Sequence, residues 1–137
     1  MTGDRKNMDH LRGEIGEMIV AYELMKRQWD VMRHLGGHGY DLTATKGTVE
    51  RHIEVKTTDP SLRTGNRKGQ LTVKLSDSER SMSSHLVFYV HGLNTFFVIP
   101  RSAFPDSGSV TVNVGRDGRI ASGTAYEPYR DRWEVLE

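Results

Sequence analysis

Residues 51–59 read RHIEVKTTD, and the alternation inside that stretch decides how the fold is read. On a strand, side chains two apart point the same way. Ile53 and Val55 therefore share one face, while Glu54 and Lys56 share the other. An acid and a lysine backed by apolar residues either face water or face a common chemical target. Taken alone the stretch favours water, because an E-x-K triplet gains meaning only from its context.

The context upstream is a hairpin. DLTATK (41–46) and RHIEVKTT (51–58) are alternating runs on either side of KGT, with Gly47 in the turn. GGHGYD (36–41) precedes them, and three glycines in four residues mark a tight backbone that allows positive φ and the close approach of a large ligand. Residues 29–35 alternate loosely and suggest a first strand. Before them, 11–28 has the spacing of an amphipathic helix, in which Leu11, Ile15, Met18, Ile19, Tyr22 and Met25 form one stripe expected to be buried.

Downstream, 59–69 (DPSLRTGNRKG) has the composition of an exposed loop, and QLTVKLS alternates as a strand. SDSE at 76–79 is a capping-box pattern that starts a short helix reaching towards Ser84. HLVFYVHG and TFFVIP are apolar, aromatic and β-branched, as buried strands are, and 108–125 suggests a C-terminal β-hairpin about GRDGR. The order gives an α/β (α+β) single domain over 1–137, a mixed central sheet flanked by an N-terminal helix and a short second helix.

Composition narrows the chemistry. The chain has no cysteine, which excludes disulfides, zinc ribbons and thiol nucleophiles. With 27% charged residues but a net charge of only +1, any contact with nucleic acid has to come from a local patch. A polar start and the lack of a long apolar run suggest an intracellular protein with no membrane partner.

Asp41 and Glu54, on the expected partner strands, can bring two carboxylates to one end of the hairpin. Two such oxygens suit a hard divalent cation such as Mg²⁺, with Mn²⁺ as substitute. Lys56 beside them could orient or deprotonate a water, or balance charge on a phosphate. Residues 61–76 contain Arg63, Arg67, Lys68 and Lys74 with no acid before Ser76, a local surplus that suits phosphate contacts; Gln70 opens the next strand towards the same place. A rival metal site would use His34, His38 and Asp41. His52, His85 and His91 flank strands and suggest surface or edge positions.

GEIGE (13–17) on the first helix, GYD (39–41) and IEVK (53–56), in that order, resemble the PD-(D/E)XK nuclease superfamily. The likeness is to its small restriction-endonuclease-like members, including those similar to Holliday junction resolvases. It covers roughly 13–58, and Tyr40 stands where the name of the family has proline. The resemblance implies a restriction-endonuclease-like core in which Glu17 (or Glu14), Asp41, Glu54 and Lys56 converge. It implies metal held by Asp41, Glu54 and the Val55 carbonyl, and products with a 5′-phosphate and a 3′-hydroxyl. The activity to expect is a Mg²⁺-dependent endonuclease acting on DNA, selective for branched DNA, as a homodimer joined through HLVFYV or TFFVIP. The alternative is an inactive DNA-binding or assembly module that keeps the fold.

Overall fold

The computed structural model describes residues 2–35, 39–59, 69–115, 117–121 and 125–137. Helix α1 (Thr2–Lys26) precedes β1 (Asp30–Arg33), β2 (Leu42–Lys46) and β3 (Val49–Thr58). Then come β4 (Gln70–Lys74), α2 (Asp77–Met82), β5 (His85–Val90), β6 (Thr95–Pro100) and β7 (Ser109–Asn113), and two short 3₁₀ turns near the C-terminus. The main sheet has the order β1-β2-β3-β5-β6, and β4 pairs with β7 in a separate two-stranded sheet. All pairings are antiparallel except β3 with β5, which makes the main sheet mixed. Among the described residues no helix is long and apolar enough to cross a membrane.

Each face of the main sheet carries its own apolar cluster. On one face Ile53, Val55, Val87, Tyr89 and Val98 meet Val20, Ala21 and Leu24 of α1, with Trp133 and Leu136 of the C-terminal segment. On the other, Leu86, Phe88, Phe97 and Ile99 meet Leu71, Val110 and Val112 of the small sheet. Val20, Leu24, Phe88 and Phe97 are fully buried, and each such side chain stabilises the fold by about 1.5–3 kcal/mol.

Helix α1 lies on the sheet through a face other than the expected one. Leu11, Ile15, Met18, Tyr22 and Met25 are exposed and Ile19 is half-buried, whereas Gly16, Val20 and Leu24 face inward. Close approach explains the choice: a Cβ on Gly16 would stand 1.8 Å from Thr57 Oγ1. The larger stripe cannot seat at that spacing.

Two further expectations change. β5 is buried along its whole length, and the outer edge of β6 is covered by the C-terminal segment, where the Asp131 amide donates to the Phe96 carbonyl (2.6 Å) and the Phe96 amide to Asp131 Oδ1 (3.0 Å). Neither strand is free to join two copies. Among the described residues the C-terminal hairpin keeps a single bridge, Val114 with Ile120, with the Ala121 amide donating to the Asn113 carbonyl (2.8 Å) and the Gly115 amide to the Arg119 carbonyl (2.6 Å), while the ladder of β7 goes to β4.

Candidate active site

Gly47 (φ +60°) closes the β2–β3 hairpin and sets Leu42 against Ile53. One step further along that register sets Asp41 opposite Glu54. The Asp41 amide donates to the Ile53 carbonyl (2.9 Å), and Asp41 Oδ2 accepts the Val55 amide (2.9 Å). The carboxylate is thus held at the mouth of the hairpin by the backbone of the very strand that carries Glu54.

Glu54 and Lys56 do share a face, and it is not a wet one. In the parallel register they stand beside Leu86 and Phe88 of the second apolar cluster, and Glu54 is only 4% exposed. Helix α2 closes the site from above. Its N-cap is Ser76, and Glu79 completes the capping box: Oε1 accepts the Ser76 amide (2.8 Å) while Ser76 Oγ accepts the Glu79 amide (3.1 Å). Glu79 Oε2, turned the other way, lies 2.9 Å from Lys56 Nζ, which is 3.4 Å from Glu54 Oε2.

The charges do not balance. Burial, with the neighbouring Asp41 charge, pushes Glu54 up to about 9, and burial also raises Asp41. For Lys56, burial pulls downward, but the hydrogen bond to Glu79 and the charges of Glu54 and Glu79 outweigh it, so the ammonium is favoured. Glu79 is lowered: burial opposes ionisation, and the Ser76 amide and Lys56 overcome it. Burial above all, with one ammonium shared among three acids, favours the protonated form of Glu54 at neutral pH.

That surplus is what a divalent cation neutralises. Among the described residues no three His, Cys, Asp or Glu side chains make a closed metal cage. The donors at hand are carboxylate oxygens, which suits a hard ion rather than zinc.

The other sequence candidates divide. Glu17 lies on the far side of Asp41: the Asp41 charge raises it, after burial, and Arg33 Nη2 stands 3.5 Å from its Oε1. Both line a cleft of about 470 Å³ that also takes in Glu14, His34 and Gly13. Glu14 instead meets His10 Nε2 at 3.3 Å. A larger cleft, about 740 Å³, lies beside α2 among Asp77, Arg80, Arg101 and Asp106, without a cluster of acids about a lysine. Gln70 and Lys74 are exposed on β4; Arg63, Arg67 and Lys68 lie outside the described residues, as do Gly36, Gly37 and His38. His34 hydrogen-bonds to Thr43 Oγ1 (2.7 Å). Gly39 has φ +75°, but what approaches it is Met82 Cβ, 2.9 Å from where its own Cβ would be.

His85 corrects a reading: it is buried, not at the surface, with Nε2 3.3 Å from the Val135 carbonyl and Nδ1 2.9 Å from Ser84 Oγ. Burial lowers it to about 4, so it is neutral and ties the C-terminal segment to β5. Glu79 is the site residue that sequence reasoning missed. Its capping-box position is visible in the sequence, but its second partner, Lys56, is brought to it by the fold.

A family model described as PD-(D/E)XK endonuclease matches residues 8–134. No curated protein matches the sequence significantly. Among solved structures the fold is similar to the bacterial homing endonuclease I-Ssp6803I, with TM-score 0.73 and 22% identity over 93% of this chain and 89% of that one. It is also similar to Hjc, a Holliday junction resolvase of Archaeoglobus fulgidus, with TM-score 0.53 and 15% identity over 74% of this chain and 83% of that one. At those identities the likeness shows the restriction-endonuclease-like fold.

Proposed function

Because the chain belongs to the PD-(D/E)XK endonuclease family, we propose that it is a Mg²⁺-dependent endonuclease that hydrolyses DNA phosphodiesters with Asp41, Glu54 and Lys56. The observation that carries this reading is the geometry at the hairpin mouth, where Asp41 accepts the Val55 amide and the buried Glu54 stands 3.4 Å from Lys56 Nζ. Asp41, Glu54 and the Val55 carbonyl would hold the ion, and Glu17 would support Asp41 from the helix. The ion, when bound, supplies Lewis-acid activation of water and charge neutralisation at the phosphate. Lys56 contributes a fixed ammonium at the developing charge, and Glu79 holds it in place. One such site cuts one strand, so cutting both strands or resolving a branched DNA calls for two copies.

The direct test is incubation with linear, nicked, flapped and four-way DNAs in Mg²⁺ or EDTA. Cleavage in Mg²⁺ alone supports the reading, and binding without cleavage makes the chain an inactive module on the same fold.

Metal and pH should be linked. Glu54 has its folded pKa raised to about 9, so the stability present below its ordinary pKa of 4.5 is lost as pH rises towards 9 in the metal-free protein. A bound cation removes that loss, and protons compete with it. Mn²⁺ at about 100 times its Kd should stabilise by about 2.7 kcal/mol, or roughly 10 °C in Tm at this size. The gain should be larger at pH 8 than at pH 6. A thermal melt that ignores Mn²⁺ at both values rejects the metal site.

The basic residues after β3 have their own readout. Arg67→Ala with Lys68→Ala should weaken DNA binding and reduce the slope of log K against log salt by roughly 1.8 for duplex DNA. Titration at several salt concentrations measures it, and an unchanged slope removes both side chains from the interface.

A further inference from the structure

Helix α1 has two apolar faces, and among the described residues only one of them is packed. Gly16, Val20 and Leu24 pack on the sheet, while Met8, Leu11, Ile15, Met18, Tyr22 and Met25 are 43–58% exposed. At 3.6 residues per turn the exposed set lies roughly opposite the buried one. The solvent side of a surface helix is ordinarily polar.

The spacing of the exposed residues is three, four, three, four, three. That is the a and d positions of successive heptads, the seam of a helix pair. Over so short a run an untwisted helix drifts only about 20° per heptad from that register, so the stripe stays on one side. Six large apolar side chains exposed along one helix face make the kind of patch that marks an interaction surface.

We propose that this stripe is an interface between two copies of the chain, with the two α1 helices packed antiparallel about a two-fold axis between Gly16 and Glu17. The pattern is its own complement under that axis. Ile15 lies against the partner's Met18, Leu11 against the partner's Tyr22, and Met8 against the partner's Met25. Half-buried Ile19 borders the apolar centre, and Arg12, Glu14 and Lys26 flank it, the arrangement of an apolar core with a polar rim.

The helix dipoles select the direction: antiparallel packing opposes them, whereas parallel packing sets like ends together. Glu17 lies about a third of a turn round from the seam, by the same 3.6-residue geometry. The interface gives the two-copy reading above a surface. Sedimentation reads the surface and nicking assays read the chemistry, so the two fail separately.

The experiment is sedimentation velocity of the full chain from about 1 to about 100 μM, a range that captures micromolar dimers, beside the double variant Ile15→Glu with Met18→Glu. The parent should dimerise, and the variant should bind itself at least about 100-fold more weakly with an unchanged far-UV spectrum and a cooperative melt. A monomeric parent throughout that range overturns the proposal, as does a variant that dimerises like the parent. If the variant fails to fold, disulfide trapping decides, and the cysteine-free background makes it clean. The double variant Met8→Cys with Met25→Cys should oxidise to a covalent dimer, and Met8→Cys alone should not. Efficient trapping by Met8→Cys alone overturns the antiparallel interface.

Discussion

Asp41→Asn and Glu54→Gln are each expected to abolish metal-dependent cleavage in a protein that remains folded. Both changes remove a negative oxygen at nearly constant shape. The side-chain amide of Asp41→Asn keeps a carbonyl oxygen to accept the Val55 amide now held at 2.9 Å by Asp41, so the strand junction survives. Glu54→Gln imitates the neutral form that Glu54 takes in the metal-free protein. That variant should therefore be more stable than the parent in EDTA at pH 8, by roughly 4 °C in Tm for each kcal/mol recovered. The rate should fall by at least about 10³-fold, the upper range for loss of one group that stabilises transition-state charge. Single-turnover nicking at matched concentrations measures it, with thermal melts alongside. Cleavage at the parent rate in either variant places the chemistry elsewhere, whatever the melts show.

The strands are readable in the sequence because their signals are local. Alternation and the Gly47 turn specify the β2–β3 hairpin, and the unbroken apolar runs of β5 and β6 specify strands covered on both faces. Helix α1 is readable as a helix but not in its orientation. Periodicity shows that a helix has an apolar side and is silent on what that side meets. Here the longer side chains form the more conspicuous stripe, yet the sheet takes the face with Gly16, because only that face lets the backbone come within contact of Thr57. The C-terminal hairpin misleads for the complementary reason. Alternation marks β7 as a strand, but its partner is β4, some forty residues earlier in the chain, and pairing at that separation leaves no local trace.

The site divides in the same way. Glu54 and Lys56 on one face and Ile53 and Val55 on the other follow from the two-residue period, and Asp41 follows from the hairpin register. Their desolvation does not follow from the sequence near them. It comes from Leu86 and Phe88 across the parallel pairing and from α2 overhead. Glu79 shows the limit most clearly. One of its carboxylate oxygens serves a helix cap within three residues of sequence, and the other reaches Lys56, 23 residues away. His85 misleads in the opposite sense: a polar residue at the head of a strand suggests an edge position, and the C-terminal segment folds back to bury it.

Lys56→Ala should leave DNA binding nearly unchanged and slow cleavage by at least about 10²-fold, the scale for losing one charge-stabilising group. The alternative is concrete. A lysine that merely pairs with an acid at a wet surface is worth roughly 0–1 kcal/mol, and its loss would leave activity intact. The geometry argues against that alternative. Lys56 lies between Glu54 and Glu79 at 3.4 and 2.9 Å, on the face of an apolar cluster, with both acids more buried than a surface pair. Its pKa is raised on balance, so the ammonium is favoured, and in the proposed reaction it would hold positive charge at the phosphate and orient the attacking water rather than remove a proton. Lys56→Arg keeps the charge but replaces a compact head by a planar fork whose donors point in fixed directions. It should recover only part of the rate. Single-turnover cleavage gives the rates, and binding measured separately in Ca²⁺ gives the affinities. If Lys56→Ala cleaves as the parent does, the ammonium takes no part in the reaction, and RHIEVKTTD is a strand whose charges serve the fold alone.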